Sequence, residues 1–105
     1  MKNKMNYDDI VFRIGYFRNK RNLSARETSL RLGFSDSFVN RIERKSVELK
    51  VSTLLNFLDL VEVDIQEFVY PNIENYKEDS ELLKMINSLS EENKLMIKDI
   101  IKKIK

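Results

Sequence analysis

Between residues 24 and 50 the chain sets out Arg26, Asn40, Arg41, Arg44, Lys45 and Lys50, side chains that carry positive charge or donate hydrogen bonds. At neutral pH none of them is a ready nucleophile or general base, so the chemistry they offer is recognition of an anion rather than bond breaking. The usual catalytic groups are missing: the chain has no histidine and no cysteine. Thiol chemistry, imidazole acid–base catalysis and the common zinc sites are thereby excluded. The carboxylate pairs Asp8-Asp9 and Glu91-Glu92 stand at helix starts, where they complement the helix dipole. Glu43 reads as structural, a carboxylate placed to pair with Arg18 or Arg21. The two glycines, Gly15 and Gly33, are too far apart to build a phosphate-cradling loop. No enzyme, metal site or cofactor is expected.

The formal net charge of +2 hides a polarity along the chain. Residues 1–50 hold 12 Lys/Arg against 6 Asp/Glu, whereas residues 51–105 hold 7 against 11. This asymmetry points to a polyanionic partner for the first half. The tyrosines (Tyr7, Tyr16, Tyr70, Tyr76) are scattered, with no stacking pair of the kind that binds single strands. No apolar run approaches the roughly 20 residues that span a bilayer. Met1-Lys2-Asn3-Lys4-Met5-Asn6 has no apolar run after its basic residues, unlike a signal peptide. A cysteine-free chain of this kind is expected in the cytoplasm, without a membrane partner.

With 105 residues and 42% hydrophobic content, the chain is long enough for one compact domain and a small appendage. Two glycines and a single proline, Pro71, leave too little turn chemistry for a β-rich fold, so the class is all-α. Ile10, Ile14 and Phe17 form the apolar stripe of a first helix ending near Lys20. Ser24-Ala25-Arg26-Glu27 is a capping box that opens a second, short helix, and Gly33 is its left-handed C-cap. Ser35 is positioned to cap a third helix over about Asp36 to Lys45, with Asp36 in its first turn. Val51 to Val61 supplies a fourth helix. A second capping box, Asp64 to Glu67, starts a fifth that stops at Tyr70-Pro71.

Two short helices joined by a tight glycine turn are the helix-turn-helix motif, whose second helix enters the DNA major groove. The motif wants a small residue where its helices cross, which Ser29 supplies. It also wants apolar residues around the turn and on the inner face of the third helix, met by Leu32, Phe34, Val39 and Ile42.

The stretch from Ile14 to about Tyr70 resembles the Cro-like (XRE) helix-turn-helix family, the fold of lambda-type repressors. The matching pieces are Phe17 to Ser24 and Leu32 to Arg44, the latter ending in Arg41-Ile42-Glu43. Ser52 to Leu55 and Val63 to Phe68 fit the family's fourth and fifth helices. The resemblance implies a five-helix DNA-binding domain and regulation of transcription, most often repression by a dimer on a palindromic operator. Carried over by position, Asp36, Ser37, Asn40 and Arg41 would face bases in double-stranded DNA. Ser24, Ala25, Arg26, Ser35, Arg44, Lys45 and Lys50 would lie near phosphates. The departures are Ala25 and Asp36 where glutamine is common, Thr28 at a usually apolar position, Leu30 at a usually polar one, and Lys45 where glycine often follows the third helix. The replaced glutamines at Ala25 and Asp36 and an exposed Leu30 support a rival reading, a protein-interaction module on the same scaffold such as an antitoxin-like or regulatory partner.

The expected organisation is a DNA-binding domain over 8–70, a linker over 71–79 and a helical hairpin over 80–105. Leu82, Leu83, Ile86 and Leu89 give its first helix an apolar stripe. In the second, after a Ser90 cap, Asn93, Ile97, Ile100 and Ile104 fall at heptad-like spacing. The hairpin is expected to supply a homodimer interface. No pocket for a small-molecule effector is visible in the sequence.

Overall fold

A computed structural model of the protein describes residues 5–105. Lys2 and Lys4, counted above in the basic half, lie outside the described residues. So does most of the N-terminal segment weighed as a signal peptide. The described chain is all-helical and divides into two compact units, with the boundary between Pro71 and Asn72.

In the first unit, α1 spans Tyr7–Lys20, α2 Ala25–Arg31, α3 Phe38–Glu43, α4 Val51–Val61 and α5 Ile65–Phe68. α1 opens on a capping box not anticipated from sequence: Asn6 and Asp9 exchange side-chain-to-backbone bonds of 2.9 and 3.0 Å. Val11, Ile14 and Phe17 of α1 are buried with Val39 and Ile42 of α3, Phe57, Leu58 and Val61 of α4, and Phe68 of α5. Phe17 packs on Phe68 with ring centroids 5.6 Å apart. Every helix of this unit thus contributes to one core except α2, which contributes the fully buried Thr28 and Ser29 instead.

Four of the helices end alike. After α1, α2, α3 and α4 the chain passes through a left-handed residue: Asn22 (φ 57°), Gly33 (φ 87°), Lys45 (φ 64°) and Glu62 (φ 58°). Around each, two amides turn back on carbonyls of the last turn, as Ser46 N–H does on Arg41 and Leu23 N–H on Arg18. This is the Schellman arrangement, which glycine fits best. Only one of the four positions has glycine. α5 ends differently. Arg13, 9% exposed in the middle of α1, donates to the carbonyls of Phe68 (2.7 Å), Tyr70 and Pro71 (3.1 Å). Its buried charge has no carboxylate within the bond network, and desolvation lowers its pKa from the ordinary arginine value.

Two expected caps do not form. Asp64 precedes α5 in extended geometry, but its side chain makes no capping bond. The third helix begins at Phe38, two residues later than expected, and Ser35 does not cap it. The chain instead makes a turn in which Phe38 N–H bonds to the Ser35 carbonyl at 3.1 Å. The linker is also shorter than expected. A 3-10 turn occupies Ile73–Asn75 and α6 begins at Tyr76, so residues 76–79 are helical. The second unit continues through α6 (Tyr76–Asn87) and, after a three-residue turn, α7 (Glu91–Ile104). Ser90 caps α7, its oxygen accepting from Asn93 N–H at 3.2 Å.

Candidate nucleic-acid interface

The site is built outward from Ser29. On α2, this fully buried residue donates its hydroxyl to the Ala25 carbonyl and accepts from Val39 N–H, both at 2.8 Å. It is therefore both the small residue at the helix crossing and the cap of α3. The first turn of α3 is thus held from α2 through Ser29 as well as by the Ser35 carbonyl, which accepts from Phe38 N–H. Thr28 is buried beside it, with its hydroxyl on the Ser24 carbonyl at 2.8 Å, so a polar residue sits at an apolar position without loss. Ser24 caps α2 as expected, its oxygen accepting from Glu27 N–H at 2.9 Å. The reciprocal half of that box is replaced by a bond from Arg31 to the Glu27 carboxylate, 2.6 Å long.

α3 is clamped to the domain at three places. Val39 and Ile42 are each 2% exposed. The Arg18 guanidinium donates to both Glu43 oxygens, at 2.8 and 2.9 Å, and to the Leu23 carbonyl at 2.9 Å. The bond to Glu43 raises the Arg18 pKa above its ordinary value. Gly15 of α1 lies against the Glu43 carboxylate, where a Cβ would stand 3.4 Å from Oε1, an ordinary contact distance. Beyond α3, Lys45 pairs with Asp8 at 3.0 Å and Tyr7 accepts from Leu49 N–H at 2.7 Å, tying the following loop to the start of α1.

What remains on the outside of α3 is a single stripe. Ser37, Asn40, Arg41 and Arg44 recur at helical spacing, and all four are exposed. Arg41 is held along the helix by donating to Ser37 Oγ at 3.1 and 3.3 Å. Asp36 sits ahead of the helix, not in its first turn, and pairs with Arg26 of α2 at 3.6 Å. Ser24, Arg26, Ser35 and Lys50 are exposed as well, Ala25 partly so. Among the described residues, the side chains of Arg44 and Lys50 make no hydrogen bond or ion pair.

The basic charge of the first half is thus divided. Arg13, Arg18 and Arg21 serve the fold; Arg21 donates to the Val61 carbonyl at 2.8 Å and to Glu62 at 3.0 Å. Arg26, Arg41, Arg44, Lys45 and Lys50 stand on the surface around α2 and α3. Sequence reasoning missed Arg13, for which an arginine amid an apolar helix face is the only available signal. Nothing in the sequence marks an open groove of about 650 Å³ along α1, lined by Phe12, Tyr16, Lys20 and the Arg18–Glu43 pair among others.

The profile of the helix-turn-helix family matches residues 14–68, from the middle of α1 to the end of α5. The chain is a helix-turn-helix protein of the XRE family. That makes it a DNA-binding regulatory protein, with α2 and α3 as the two helices of the motif. No curated protein and no solved structure matches the chain. In this helix-turn-helix protein no helix among the described residues is long and apolar enough to cross a membrane.

Proposed function

We propose that the protein is a sequence-specific, double-stranded DNA-binding repressor that acts in the cytoplasm as a homodimer on a palindromic operator. The observation that carries this reading is the way α3 is held. Its inner face is buried, Glu43 is gripped by Arg18, and the outward stripe of Ser37, Asn40, Arg41 and Arg44 is left to solvent. A recognition helix fixed on one side and polar on the other can lie in the major groove without rearranging.

In this reading Arg41 and Asn40 bond base edges, Arg41 preferring guanine and Asn40 adenine, with Ser37 adapting to either. Asp36 lies at the groove edge, where its carboxylate accepts from cytosine N4 and steadies Arg26. Phosphates are held by Arg26, Arg44, Lys45 and Lys50, and by Ser24, Ala25 and Ser35 through hydroxyls and backbone amides. Residues 8–70 bind DNA and residues 80–105 bring two copies together. Half-sites then lie about one helical turn apart, roughly 34 Å. Lys45 exchanges Asp8 for phosphate on binding, an exposed pair that costs little to break.

The test is selection of duplexes from a randomised pool by the purified full chain, followed by footprinting of the winner. The expected result is one palindromic site whose affinity falls roughly a thousand- to hundred-thousand-fold between 50 and 200 mM salt. Recovery of no preferred sequence would overturn the reading in favour of a protein-interaction module.

A further inference from the structure

The second unit leaves its apolar side chains uncovered. No residue of α6 or α7 is buried, and Leu82, Leu83, Met96, Ile100 and Ile104 are between 47% and 77% exposed. On α7, Asn93, Ile97, Ile100 and Ile104 recur at 4-3-4 spacing, the seam by which two helices pair, and Met96 and Ile101 widen the stripe on either side. A contiguous exposed stripe of this kind marks an association surface.

The order of charges along α7 says what covers it. The helix opens on Glu91-Glu92 and closes on Lys102, Lys103 and Lys105. Laid parallel on a second copy, it would set lysine on lysine and glutamate on glutamate. Laid antiparallel, it brings the acidic end of each copy beside the basic end of the other, and the helix dipoles lie opposed. The stripe closes in the same register. Asn93 meets Ile104 of the partner subunit and Ile97 meets the partner's Ile100, so the two-fold axis falls between residues 98 and 99. Residues 72–105 carry seven Lys and seven Asp/Glu, so two copies of this segment approach without net repulsion. A lipid surface fits less well: Glu91, Glu92 and Asp99 accompany the lysines, and α7 has no aromatic anchor.

We infer that α7 pairs antiparallel with α7 of a second copy across a two-fold axis. This rests on the proposed homodimer and names its interface. The surface is isologous, each copy offering the same stripe, so the assembly closes at two.

Because the chain has no cysteine, an introduced one is a unique thiol. Asn93→Cys and Ile104→Cys are made separately in the full chain, then oxidised mildly alone and mixed. Disulfide-linked dimers are expected from the mixture and not from either variant alone. In parallel, the unmodified chain is expected to sediment at twice 12.5 kDa, and Ile100→Glu at once that mass with its helical circular dichroism intact. Each variant linking to itself would overturn the antiparallel register. A monomeric unmodified chain, or Ile100→Glu still dimeric, would overturn the interface. Binding to a single half-site duplex separates this inference from the DNA reading. A monomer that selects a half-site overturns the interface alone, whereas an antiparallel dimer that selects no duplex upholds it and overturns the regulator.

Discussion

Glu43 never faces the groove side of α3, yet its removal should reach DNA binding through the position of that helix. The magnitude follows from its enclosure. Arg18 meets both carboxylate oxygens at 2.8 and 2.9 Å, with the two side chains 13% and 20% exposed. An exposed pair is worth about 0.2–1 kcal/mol, whereas losing one partner of a fully buried pair costs about 3–5 kcal/mol. A pair enclosed to this degree lies between, so Glu43→Ala should cost about 2–3 kcal/mol of stability. In a domain of this size that lowers Tm by about 10–20 °C. Arg18→Ala should cost slightly more, because the Leu23 carbonyl also loses its donor. Urea unfolding of both single variants and the double variant closes a thermodynamic cycle, with an expected coupling of about 1.5–2.5 kcal/mol. DNA affinity, measured below the unfolding transition, should fall for Glu43→Ala although the residue touches no base. A coupling under about 0.5 kcal/mol would refute the clamp and reduce it to an ordinary surface pair.

Three further outcomes are expected. Ser29→Ala strands the buried Val39 N–H and should cost about 1–3 kcal/mol in urea unfolding, with faster hydrogen exchange at Val39; protection unchanged there would count against the cross-helix cap. Arg13→Met leaves the carbonyls of Phe68, Tyr70 and Pro71 without their donor and should cost about 2–4 kcal/mol, and a loss below about 1 kcal/mol would contradict its place as the cap of α5. Glu62→Gly relieves a left-handed residue at the loss of one exposed bond to Arg21 and should raise stability by about 0.5–1 kcal/mol, so a decrease on thermal unfolding would show that φ 58° carries no strain there.

The motif was legible because its signals are local. Ser24, Gly33, Val39 and Ile42 stand at fixed offsets along the chain, and each does in the structure what its offset implies, whereas Phe34, expected among the apolar residues of the turn, is exposed. Where the sequence misleads, the deciding partner comes from elsewhere in the fold. Ser35 has the look of an N-cap, but its side chain makes no capping bond, and the side-chain acceptor in the first turn of α3 is Ser29, ten residues before Val39. Asp64 has the spacing of a capping box, yet α5 is four residues long and is held instead by Arg13, more than fifty residues earlier. Asn22, Lys45 and Glu62 occupy left-handed positions without the glycine that would announce them. The charge asymmetry was informative in sign but not in detail. Three arginines of α1 and its C-terminal turn cap carbonyls or grip Glu43 and so serve the fold, whereas Arg26, Arg41, Arg44, Lys45 and Lys50 stand on the surface around α2 and α3.

The central claim is that Arg41 reads a base whereas Arg44, one helical turn away on the same stripe, holds the backbone. Arg41→Ala and Arg44→Ala, each titrated against the selected operator and against random duplex at one salt concentration, test it directly. Arg41→Ala should lose about 1–3 kcal/mol per half-site on the operator and little on random duplex, while Arg44→Ala should weaken both alike. Equal loss on both duplexes for Arg41→Ala would contradict the account.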